Sequence, residues 1–143
     1  EQENVFGRTK REGAPLTGGG EHTAPDFEMA GREGKPLIDP ASHMRLANPV
    51  TNGGTRMLRR GFNFTDGNDA QGHLDAGLYF IACVRDPRVG YIPIQDALAR
   101  KDLLSEYLKH TGSALFAVPP GVSAIGQDGS LVGDDFVGSA LFA

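Results

Sequence analysis

Hydrophobic and polar positions change period several times along the chain, and each change marks an element. From Arg56 the stretch RMLRRGFNF alternates, with Leu58, Arg60, Phe62 and Phe64 on one side and Met57, Arg59, Gly61 and Asn63 on the other. A period of two predicts a half-buried strand, and it sends the neighbouring Arg59 and Arg60 to opposite faces. The run TDGNDAQG then reads as a turn, and LDAGLYFIACV, from Leu74 to Val84, as a second and more fully buried strand that stops before Asp86-Pro87. Leu78 and Phe80 share one side of it. Between Ile94 and Lys109 the apolar positions Ile94, Leu98, Leu104 and Leu108, with Ala97 and Tyr107, fit a helix ending near Gly112. SALFAVPPG predicts a last short strand, cut off by Pro119-Pro120.

Upstream, residues 39 to 48 carry helix punctuation. Asp39 can cap, Pro40 suits the first helical position, and Pro49 turns Asn48 away from helical dihedrals. His43, Leu46 and Ala47 would share a face of that helix. Residues 1 to 38 show neither period and are rich in glycine, proline and charge, which predicts a loop-rich arm lying on a partner surface. The domain reading is therefore an arm over 1–38 and a folded part over 39–143. The order strand, strand, helix, strand is the latter part of a ferredoxin-like β-α-β-β-α-β unit, an α+β fold with an antiparallel sheet. Its opening strand and helix are absent, so sequence before Glu1 is expected to complete it.

Composition narrows the function classes. The 143 residues carry a net charge of −4, which leaves no basic footprint for nucleic acid. No apolar run approaches the roughly 20 residues that a membrane-spanning helix needs. Cys83 is the only cysteine, which rules out an internal disulfide, and it is expected to fill a core position. Four histidines, at 22, 43, 73 and 110, form no paired i, i+4 motif and no zinc-ligand spacing. No GxSxG elbow supports serine nucleophile chemistry. Gly18-Gly19-Gly20 precedes no helix pattern and reads as a loop, and TDGNDAQG lacks the ligand spacing of a calcium loop. By spacing alone, His43 is either a hydrogen-bonded core or surface histidine or a metal ligand.

Four stretches, GRTKREGAPL, SHMRLANP, MLRRGFNFTDG and LDAGLYFIACVRDP, agree in order and spacing with a known family. Together they resemble the C-terminal part of a dye-decolorizing peroxidase of the bacterial type that includes the deferrochelatase-like proteins. The likeness covers the chain to about Pro120. It implies one half of a two-half enzyme that sandwiches haem b (iron protoporphyrin IX) between ferredoxin-like units. It also implies His43 as the proximal iron ligand, and haem contacts from Asn48, Pro49 and Val50, although Val50 stands where the family often has arginine. Arg59 would be the distal catalytic cation, and Leu78 and Phe80 apolar walls of the distal side. Glu106 is the expected carboxylate behind the proximal histidine, with Asp102 second.

The family's distal aspartate lies in a GxxDG motif that has no counterpart among these residues. The resemblance thus implies a chain that pairs with a separate N-terminal part of the same peroxidase, with a higher oligomer left open. The activity implied is oxidation of dyes, phenols or other bulky reductants by hydrogen peroxide in one-electron steps, with surface tyrosines (Tyr79, Tyr91 or Tyr107) as available relays. The alternative is a haem-binding iron-release protein of the deferrochelatase kind. Bacterial relatives of this type imply an extracellular or periplasmic location.

Overall fold

The computed structural model describes residues 1–122 and 136–141. They divide into two compact units, Glu1–Lys109 and His110–Ala143. In the second, the Gly138 amide donates to the Pro120 carbonyl at 2.9 Å, and a 3₁₀ turn covers Ser139–Leu141. The strand expected at SALFAVPPG is absent, because those residues are coil. The described residues of the second unit contain no strand with which that apolar run could pair.

The first unit contains α1 (Gln2–Phe6), α2 (His43–Ala47), β1 (Leu58–Asn68), β2 (Leu74–Cys83), α3 (Pro87–Gly90) and α4 (Ile92–Lys101), followed by a 3₁₀ turn over Leu103–Tyr107. The class is α+β with an antiparallel sheet, as expected. β1 and β2 form a two-stranded ribbon in which Arg59 faces Ala82, Gly61 faces Phe80 and Asn63 faces Leu78. The ladder shifts between Thr65 and Asn68, and Asp69 closes the turn by accepting from the Gln71 and His73 amides at 2.9 and 2.8 Å.

Directly paired residues point to the same side of an antiparallel ladder. Arg59, Phe80 and Leu78 therefore share one face, and Leu58, Arg60, Phe62, Phe64, Tyr79 and Ile81 the other. The alternation is as expected, but the burial is not: β1 is exposed throughout, and β2 at every position but Ala82. Among the described residues of the first unit no further strand extends this ribbon, and its hydrophobic positions are open to solvent. Cys83 lies on the ribbon too and is exposed rather than core.

The core sits elsewhere, and residues 1–38 supply most of it. Val5, Ala14, Phe27 and Ile38 are buried, with Ile94 of α4 as the remaining buried hydrophobic residue among those described. The predicted arm is thus part of the first unit. Arg45 of α2 pins it: its Nη1 donates to the carbonyls of Phe27 and Ile38 at 2.8 and 3.2 Å, and its guanidinium lies 5.3 Å from the centre of the Phe27 ring. Such side-chain bonds to carbonyls replace a regular ladder and stay invisible to periodicity.

Two helix boundaries also move. The helix expected over 39–48 starts only at His43, because Asp39 Oδ1 spends its capping bond on the Ala41 amide at 2.8 Å and forms a turn first. The helix expected up to Lys109 ends at Lys101, where Asp102 takes an extended conformation and its carboxylate accepts from the Leu104 amide at 2.9 Å.

Candidate functional site

The break after α4 builds the site. The Leu103 amide donates to the Ala41 carbonyl at 3.1 Å, which ties the start of the 3₁₀ turn to the residues just before α2. This brings the Asp102 carboxylate under His43, and Oδ2 meets the imidazole Nδ1 at 2.6 Å. Asp102 is buried, with its side chain 2% exposed, while the His43 side chain is 34% exposed. The carboxylate is thereby committed on both oxygens, Oδ1 to the Leu104 amide and Oδ2 to the imidazole.

A neutral imidazole that donates from Nδ1 keeps its lone pair on Nε2. Among the described residues Nε2 has no hydrogen-bond partner, and His43 lines an open depression of about 240 Å³. Phe6, Met44, Ala47 and Pro49 give that depression an apolar wall, and Asn48, Arg8 and Arg59 add polar groups. Phe6 meets the imidazole edge-on, with ring centres 6.2 Å apart and planes at 69°. A neighbouring depression of about 230 Å³ shares Ala47, Pro49 and Arg59 and extends to Arg56, Met57 and Ile94.

Of the residues singled out in the sequence, the structure gathers His43, Asn48, Pro49 and Arg59 around one depression. Leu78 and Phe80 lie on the same ribbon face as Arg59 but line neither depression. Val50 is 82% exposed and lines neither. Glu106 is a correction. It is exposed in the 3₁₀ turn, whereas Asp102 four residues earlier takes the place against Nδ1. Helical spacing over 94–109 would have kept Glu106 in register with the buried face, but the chain leaves the helix at Asp102.

Sequence reasoning missed Phe6, Arg8 and Met44. The first two come from the segment read as an arm, where Arg8 lies within the GRTKREGAPL stretch and Phe6 directly before it.

A helix-borne imidazole is thus backed at one nitrogen by a buried carboxylate and lines an open depression with an apolar wall. Residues 1–123 match the family described as Dyp-type peroxidase, C-terminal, and the chain belongs to that family. It is 42% identical over 137 residues to the dye-decolorizing peroxidase of Thermobifida fusca, a match covering 95% of this chain and 31% of that protein. It is 39% identical over 143 residues to the deferrochelatase of Escherichia coli, covering 99% and 31% respectively. Among solved structures, DtpA from Streptomyces lividans, seen as an X-ray generated oxyferrous complex, is similar at a TM-score of 0.83 and 40% identity, covering 99% of this chain and 37% of that one. A DyP-type peroxidase from Streptomyces coelicolor is similar at a TM-score of 0.69 and 44% identity over 73% of this chain. The chain thus spans about a third of the length of the curated relatives it matches.

Proposed function

We propose that this chain forms the iron-ligating half of a haem b peroxidase that uses hydrogen peroxide to oxidise dyes, phenols or similar bulky reductants. The observation that carries the reading is the 2.6 Å contact between His43 Nδ1 and the buried Asp102 carboxylate, which leaves Nε2 for a ligand in the depression. The donor set fits the group. A neutral imidazole nitrogen suits haem iron, and Phe6, Met44, Ala47 and Pro49 offer the apolar contact that a macrocycle needs.

His43 would hold the iron, with Asn48 and Pro49 at the macrocycle's edge. When bound, haem supplies the redox chemistry that cleaves peroxide and passes single electrons. Asp102 acts through His43: its charge makes the imidazole a stronger donor and fixes the ring's orientation. Arg59 presents a cation beside the site, where it would stabilise negative charge developing on a departing oxygen. Leu78 and Phe80 would restrict access from the ribbon side. The proton-transferring aspartate of the GxxDG motif would come from a separate N-terminal part of the enzyme.

The test is to add hemin and then peroxide with an anthraquinone dye, following the Soret band and dye bleaching. The expected result is a histidine-ligated spectrum and bleaching that depends on the N-terminal part. The 39% identity to deferrochelatase favours a second reading, iron release, which would show as free iron with the porphyrin left intact. Colourless protein after hemin addition would contradict both.

A further inference from the structure

The wall of the depression that His43 lines contains one sulfur, that of Met44. Among the described residues no tyrosine or cysteine lines this depression or its neighbour, and the chain has no tryptophan. Besides the imidazole, the wall offers a phenyl ring, two guanidinium groups, an amide and the aliphatic Ala47 and Pro49, all hard to oxidise. A thioether is soft and gives up electrons readily, and its first stable product is the sulfoxide. Met44 follows His43 directly on α2 and is half-buried. Its far end reaches the close of α1, where a Cβ on Gly7 would stand 3.3 Å from Met44 Cε. The other two methionines stand apart: Met57 lines only the neighbouring depression, and Met29, 38% exposed, lines neither.

Resting on the haem reading, we propose that Met44 is an oxidative modification site through which the enzyme limits its own turnover. When peroxide is consumed without an external reductant, the oxidising equivalents fall on the Met44 sulfur, the most easily oxidised group on the wall. The net step takes one thioether and one hydrogen peroxide to one sulfoxide and one water. An S–O bond forms and the O–O bond breaks, with sulfur losing the two electrons that the peroxide gains. The product puts a polar, chiral group where an apolar contact had been. The wall then holds the macrocycle less tightly, and a thiol-dependent sulfoxide reduction is the class of reaction that restores it.

The experiment follows the gain of a single oxygen at Met29, Met44 and Met57 by peptide mass spectrometry of the whole chain under peroxide, with and without hemin. Without hemin, exposure decides, and Met29 should be oxidised ahead of Met44. With hemin bound the order should reverse, and a phenolic reductant should protect Met44. Met44→Gln, with a polar amide of similar length, should bind hemin roughly 5- to 30-fold more weakly, as expected for losing part of an apolar contact. Met44→Leu keeps the volume and the apolar character, so it should bind hemin within a few-fold of wild type and hold its Soret band longer under peroxide. Met44 left unoxidised, or Met29 or Met57 oxidised ahead of it with hemin bound, would overturn the proposal and leave the haem reading standing, results that need no variant to fold. So would a Met44→Leu chain that loses its Soret band as fast as wild type, or a Met44→Gln chain with undiminished affinity. A wild-type chain that binds no hemin overturns the haem reading and this proposal with it.

Discussion

At the scale of single residues, the site depends on one contact across 59 positions of sequence, from His43 to Asp102. His43 was singled out through the likeness of SHMRLANP to the family, since its spacing alone left a ligand and a hydrogen-bonded core or surface histidine both open. Its carboxylate was not, because a partner's identity depends on where the α4 helix ends, and the apolar period continues past that point. Replacing Asp102 with Asn should keep hemin bound but raise the iron reduction potential, since a neutral amide makes the imidazole a weaker donor. A redox titration showing no change would remove Asp102 from the proposed role. Asp102→Ala should in addition destabilise the fold by roughly 1–3 kcal/mol, because it leaves the Leu104 amide and the imidazole N–H without their acceptor. Replacing Arg59 with Ala should leave hemin affinity within a few-fold of wild type but slow peroxide-dependent dye oxidation by roughly 10²- to 10³-fold in steady-state assays.

At the scale of elements, short helices are held by particular side chains rather than by length. Gly7 ends α1 with φ at 77°, and a Cβ there would stand 3.1 Å from both Ile38 Cγ2 and Ser42 Oγ. α1 can approach the start of α2 closely only through a glycine in this left-handed conformation. Gly7→Ala should cost roughly 1–2 kcal/mol in urea unfolding, because the alanine must adopt that conformation. An unchanged midpoint would mean that the joint yields freely. α3 depends on Asp86, whose carboxylate accepts from the Arg88 guanidinium and from its amide at 2.9 Å. These bonds hold the Asp86 carboxyl below its ordinary value, the guanidinium contact being the larger cause. A depressed carboxyl adds stability above its unfolded value and loses it as pH falls through the folded one. The Arg88 amide shift should therefore hold steady from neutral pH past about pH 5 and move only below the ordinary aspartate range. A midpoint at or above that range would contradict the capping role.

At the scale of the whole molecule, the strands were legible because alternation is written in adjacent residues, whereas their burial depends on layers that other parts of a protein must provide. Phe62, Tyr79 and Leu78 are 55%, 63% and 54% exposed, with Phe62 and Tyr79 on one face of the ribbon and Leu78 on the other. Relatives of this family are about three times as long. In the proposed enzyme a separate N-terminal part would cover the ribbon. Adding that part should slow amide hydrogen exchange between Leu58 and Cys83, while unchanged exchange would argue against the pairing. The packing of the loop-rich beginning of the chain was not legible for a related reason, since Phe27 and Ile38 are anchored by Arg45 rather than by any periodic pattern.

The central claim, a histidine from α2 bound to iron and backed by Asp102, is tested most directly by resonance Raman spectroscopy of the ferrous haem complex. An iron–histidine stretch should be present in wild type, shifted to lower frequency in Asp102→Asn, and absent in His43→Ala. A stretch that persists unchanged in His43→Ala would contradict the account.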